Sequence, residues 1–168
     1  MFNSEIHIGI ERQNHKSFDD LEKMNLLAQP ITISMIKIQY TKDCILGLKI
    51  KYRGMDGQTV VGKSSRKLKL FGVHFSKFKI EKNDCIKEIF GFAGSTINQL
   101  GIRTYRGQEV ICGTCQGQAF SYYIPNHTFI AAKGSYDQFL EYICFRVIPL
   151  TPEQITKFGS GNEIQKKL

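Results

Sequence analysis

The amino-acid sequence predicts an all-β fold. Three observations point there: short runs of β-branched and aromatic residues recur along the chain, glycine-rich turns separate them, and only the C-terminal tail departs from this pattern. The runs are Ile31 to Tyr40, Asp43 to Tyr52, Phe75 to Glu81, Ile97 to Tyr105, Gln118 to Ile124 and Phe139 to Ile148, each bounded by Gly, Pro, Asn or Asp. The glycines fall largely between them, in RGMDGQ, FGFAGS, YRGQE and CGTCQGQ, where turns and bulges need positive φ. Turns this tight favour antiparallel hairpins over crossover helices.

From the N-terminus, MFNSEIHIGIERQNHKSFDD carries Glu5 and Glu11 and no uninterrupted apolar segment, so it shows neither a secretory nor a transit-peptide pattern. No stretch approaches the ~20 apolar residues of a membrane-spanning helix, and a cytoplasmic location is expected. The middle of the chain is internally repetitive. Apolar triplets recur at Ile45-Leu48-Ile50, Ile97-Leu100-Ile102 and Leu140-Ile143-Phe145, and IKYRGMDGQTVVG matches IRTYRGQEVICG in its Tyr-Arg-Gly turn and following strand. Related antiparallel units around a common core explain such a pattern. The expected core includes Ile33, Met35, Leu48, Ile89, Leu100, Phe120 and Ile143. In the tail, Thr151 stands at an N-cap position, Pro152 at the first helical position and Gln154 completes a capping box, with Gly159-Ser160-Gly161 as a stop. One short helix is expected there, so residues 1–150 form the domain and 151–168 a helical, polar tail.

With 168 residues, 42% of them hydrophobic, the chain fits one domain with a full core. Five scattered cysteines do not form a disulfide framework and suit a reducing compartment. Cys112 and Cys115 make the single CxxC, with no second close pair and no histidine at ligand spacing, so no metal and no cofactor is expected. No nucleophile elbow or phosphate-binding loop is present, and no catalytic residue is assigned. The formal charge is +8. Lys63, Arg66, Lys67, Lys69, Lys77, Lys79 and Lys82 face the single acid Glu81 in one stretch. The lysines alternate with apolar residues, as on the wet face of a half-buried strand, and the same stretch is a candidate docking surface for acidic partners. No aromatic RNA-binding signature accompanies it, and nucleic acid is not an expected partner.

SFDD (Ser17 to Asp20), ILGLKIKYRGMDG, IEKNDCIKEIFGFAG, INQLGIRTYRG and GQAFSYYIP followed by FIAAKGSYDQFLEYICFRV, in this order and spacing, resemble the jacalin-related lectin family. The resemblance spans about Ile6 to Leu150. It implies a β-prism of three antiparallel four-stranded sheets and a non-enzymatic binding module. In that family a Gly-Gly loop near the N-terminus and a Gly-x-x-x-Asp loop before the last strand form the sugar pocket. Here Asp137 stands at that Gly and Glu141 at that Asp, while the first loop, IERQNHKS, has no Gly-Gly pair. The expectation is therefore a protein-interaction or structural subunit of a larger assembly, with the family's sugar site degraded. The alternative is a mannose- or galactose-type lectin with a modified pocket of Asn14, His15, Gly134, Tyr136, Asp137, Gln138, Phe139 and Glu141.

Overall fold

The computed structural model describes residues 4–13, 15–63 and 72–165, with side chains through Gly159. Twelve strands build three four-stranded antiparallel sheets. Sheet I holds β1 (Ser4–Gly9), β12 (Leu140–Pro149), β11 (His127–Tyr136) and β2 (Lys16–Asp19) in that spatial order. Sheet II holds β5 (Thr59–Val61), β4 (Ile45–Arg53), β3 (Thr32–Tyr40) and β6 (His74–Lys79). Sheet III holds β9 (Glu109–Gly113), β8 (Ile97–Thr104), β7 (Ile86–Ala93) and β10 (Gln118–Tyr123).

The repeats seen in the sequence map onto this arrangement. IKYRGMDGQTVVG is the β4 to β5 hairpin, and IRTYRGQEVICG is the β8 to β9 hairpin. In sheet I the equivalent edge position is filled from the other end of the chain, because β1 pairs with β12. The N-terminus thus completes the sheet that carries Glu141.

All three sheets turn their apolar faces inward. One cluster joins Ile8, Phe129, Ile143 and Phe145 of sheet I to Ile36, Ile38, Leu48 and Ile50 of sheet II and Ile89, Leu100 and Ile102 of sheet III. Met35, expected inside, is only half-buried. A register shift between Ile33 and Met35 resets the alternation, so that Ile36 and Ile38 take the inward positions. Phe120 packs against the cluster from a partly buried position.

Six strands were not among the sequence-derived runs. β2 and β5 are four and three residues long, and β11 reads HTFIAAKGSY, whose small residues and positive-φ Ala131 blur the strand signal. A four-residue helix, α1 (Leu21–Met24), was not foreseen either. At the C-terminus, α2 (Pro152–Gln165) begins as expected: the Thr151 N–H donates to Gln154 Oε1 at 2.9 Å, and the Gln154 N–H donates to Thr151 Oγ1 at 3.2 Å. The helix does not stop at Gly159-Ser160-Gly161 but continues through them. Phe158 anchors it, stacking on Tyr105 at 4.7 Å beside Cys85 and Leu150. All five cysteines are free, and only Cys115 is exposed.

Candidate functional site

The sequence-derived site lies at one end of sheet I. β1 stops at Gly9, whose φ of +82° belongs to the left-handed region. A Cβ there would overlap the carbonyl oxygen of Glu141, so glycine lets the chain run tightly against β12. The Ile10 N–H then donates to that carbonyl at 3.1 Å. From His15 the chain enters β2, which pairs Ser17 with Ser135 and Phe18 with Gly134 of β11. Gly134 is needed for packing here: a Cβ would press on the Phe18 ring and overlap the Tyr142 carbonyl oxygen.

The expected loop from Gly134 to Glu141 is shorter than the sequence indicated. Gly134 and Tyr136 belong to β11 and Glu141 to β12, leaving Asp137, Gln138 and Phe139 as the exposed connection. The Asp137 N–H donates across it to the Phe139 carbonyl at 3.2 Å. Tyr136 leans on Phe18, with ring centroids 6.5 Å apart.

A register shift between Ser135 and Tyr136 leaves Glu141 as an extra residue in β12, while Leu140, Ile143 and Phe145 fill the prism interior. Glu141 is only 8% exposed as a residue, so its carboxylate needs compensation. Two basic side chains of the β1 to β2 connection lie against it. His15 Nδ1 lies 2.6 Å and Arg12 Nε 3.7 Å from Glu141 Oε2. The His15 contact is close, but neither atom has an aligned hydrogen-bond partner. His15 and Glu141, paired on sequence grounds, are thus brought together; Asn14 lies outside the described residues. Arg12 was missed. The loop's basic residues, Arg12, His15 and Lys16, were the available signal, since a nearly buried carboxylate needs a basic partner.

Beside this contact a cleft of about 290 Å³ opens between the same loop and sheet I, lined by Arg12, Gln13, His15, Ser17, Ser135 and Tyr142 among others. The Ser135 hydroxyl is buried without a hydrogen-bond partner. Two basic side chains and an unpartnered hydroxyl in this recess, with the Glu141 carboxylate meeting the same two side chains beside it, are the kinds of group that hold a polyhydroxylated ligand, whose hydroxyls both donate and accept.

Of the expected docking surface, Lys77 and Lys79 lie on β6, Lys63 faces Glu22 at 3.6 Å, and Lys82 lines a cleft under α2. Arg66, Lys67 and Lys69 lie outside the described residues. On the outer face of sheet I, Glu5, His7 and Cys144 offer ligand atoms within 4.8 Å of one another. The Lys133 ammonium, 3.7 Å from Glu5, already balances that carboxylate, and the Tyr142 hydroxyl lies 2.6 Å from His7 Nδ1. Burial pushes the Cys144 thiol up to about 11, and Cys85 up to about 12.

Three antiparallel sheets around one core, with a loop-bounded acidic position before the last strand's interior run, define a β-prism of lectin type. The model of the jacalin-like lectin domain matches residues 11–146, and the chain belongs to that family, one of non-enzymatic, carbohydrate-binding folds. Frutalin from Artocarpus incisa superposes with a TM-score of 0.72 at 20% identity, covering 88% of this chain and 97% of that one. A mannose-specific jacalin-related lectin from Morus nigra, in complex with mannose, gives 0.72 at 18% identity over 86% and 94%. A Malaysian banana lectin gives 0.70 at 18% over 88% and 99%. No curated protein sequence matches the chain.

Proposed function

We propose that the protein is a carbohydrate-binding lectin that holds a mannose- or galactose-type hexose between the β1 to β2 loop and the Asp137–Phe139 connection. The observation that carries this reading is the placement of Glu141. It stands where the family resemblance implies an acid, and it meets His15 and Arg12, two side chains that line the neighbouring recess. In the bound state Glu141 accepts hydrogen bonds from sugar hydroxyls, while Arg12 and His15 donate to them. Phe139, 38% exposed, offers an apolar surface to the C–H face of the ring. Because the ligand competes with an existing ion pair, binding is weaker than to a carboxylate that faces water.

The test is a backbone NMR titration with methyl α-mannoside and methyl α-galactoside. Shifts confined to residues 9–15 and 134–142, abolished in Glu141→Ala, are expected; a spectrum unmoved by either sugar defeats the reading. The second reading is an interaction or structural subunit of a larger assembly. It is favoured by the same contact seen from the other side, since the Arg12 guanidinium already offsets the Glu141 charge. It predicts that the tagged protein co-purifies with a defined complex and responds to no sugar.

A further inference from the structure

The three outer faces of the prism differ in charge. On sheet III, Arg103 lies between Glu88 and Glu109, at 2.5 and 2.6 Å. On sheet I, Lys133 lies 3.7 Å from Glu5. Sheet II has no such balance. The pairing of β3 with β4 and β6 sets Lys49, Lys37 and Lys77 abreast across three strands. The next outward row holds Val61, Lys51, Met35 and Lys79. The intervening Ile36, Ile38 and Ile50 point inward and are buried, so these five lysines share one wet face. Neither row contains a carboxylate, and among the described residues none of the five lysines forms an ion pair.

Neighbouring strands lie about 4.8 Å apart, and like charges directly opposite each other across a ladder are destabilising. A face that had only to be wet would alternate signs, as the other two do. The unneutralised lattice instead fits an external polyanion, and its shape selects which one. It is an area rather than a line, three strands or about 10 Å wide, with rows about 7 Å apart. Lysines are point charges without the planar fork that docks on individual phosphates. Among the described residues no ladder of aromatic rings lies on this face to stack bases as in single-strand binders. Two exposed apolar side chains flank the cations: Phe75 at 55% and Val61 at 39%. Phe75 continues the outward row of Lys77 and Lys79, and the Lys37 ammonium lies 5.0 Å from its ring centroid.

We infer that the outer face of sheet II docks on an anionic lipid bilayer, its lysines among the headgroups and the Phe75 ring at the interface. This peripheral contact is separate from the Glu141 recess at the end of sheet I, so one molecule presents its sugar site while lying on a membrane.

The test is co-sedimentation of the full chain with phosphatidylcholine vesicles with and without phosphatidylserine. Binding is expected only with phosphatidylserine, weakening as salt rises. Each of Lys37→Gln, Lys49→Gln and Lys77→Gln should weaken it about fivefold. Removing repulsion, these variants should melt no lower than the parent, which separates lost binding from lost folding. Glu141→Ala should bind vesicles as the parent does. Absence of phosphatidylserine-dependent binding overturns the inference, as does binding unchanged in the lysine variants. Capture by a heparin fragment or a single-stranded oligonucleotide, with no binding to the vesicles, likewise overturns it in favour of a soluble polyanion.

Discussion

Asp20 and Glu141 are both nearly buried carboxylates, and the prism treats them in opposite ways. Asp20, between β2 and α1, is fully buried. Its Oδ2 accepts from the Tyr52 hydroxyl at 2.6 Å and its Oδ1 from the Lys63 N–H at 2.7 Å. Tyr52 Oη in turn accepts from the Ala132 N–H at 3.1 Å. One carboxylate thereby ties sheet I to sheet II through groups that cannot turn away, two of them backbone amides. Glu141 is held by the ends of two side chains from a loop, half-exposed at Arg12 and at contact distance but misaligned at His15. A charge fixed on all sides is architecture, whereas a charge met by swinging partners is open to exchange for a ligand.

The largest effect expected from this contrast is Asp20→Ala. It strands the Tyr52 hydroxyl and the Lys63 N–H and leaves a void between two sheets, and should cost about 3 kcal/mol in denaturant unfolding. A loss below about 1 kcal/mol would erase the distinction. Next comes Gly9→Ala. The Cβ would meet the Glu141 carbonyl oxygen at a backbone φ that side chains disfavour, costing about 2 kcal/mol. Because β1 must move off β12 at that point, the amide signals of Ile10 and Glu141 should shift in the folded variant.

Much of this architecture was legible in the sequence. The Tyr-Arg-Gly repeat gave two hairpins because their turns need the same backbone shape, and the Thr151-Gln154 capping box gave the start of α2. Its end was not legible, because Phe158 packs on Tyr105 and Leu150 and tertiary contact carries the helix past two glycines. The inward shift from Met35 to Ile36 was hidden in the same way: a bulge is set by the partner strand, not by the run itself. At the site, the acid at position 141 was singled out by the family resemblance. Arg12 was not, since only the fold shows that Glu141 is nearly buried beside the loop that carries Arg12. The lysine lattice was hidden too. Lys37, Lys49 and Lys51 lie outside the basic stretch in the sequence, and strand register alone brings them beside Lys77 and Lys79.

Glu141→Ala should sharpen the comparison from the other side. His15 and Arg12 reach solvent and can rehydrate, so stability should change by no more than about 1 kcal/mol while the sugar-dependent shifts disappear. A loss as large as that of Asp20→Ala would make Glu141 a structural group and favour the interaction-subunit reading.

The smallest effect is a pH slope, and its sign follows from burial. Desolvation raises the Asp20 carboxyl above its usual range, against the hydrogen bonds from Tyr52 and Lys63 that favour the anion. Between the usual carboxyl value and this raised one, the folded state binds more protons than the unfolded state, so the Asp20 contribution is fully present in acid and declines as pH rises through the folded value. Asp20→Asn keeps one oxygen for the Lys63 N–H and cannot ionise. The stability difference between parent and Asp20→Asn should therefore move toward the variant as pH increases through that window, then level off. A difference that moves toward the parent would mean that the two hydrogen bonds outweigh burial and that the buried anion is the preferred form. Asp20 would then join the two sheets as a charge rather than despite one.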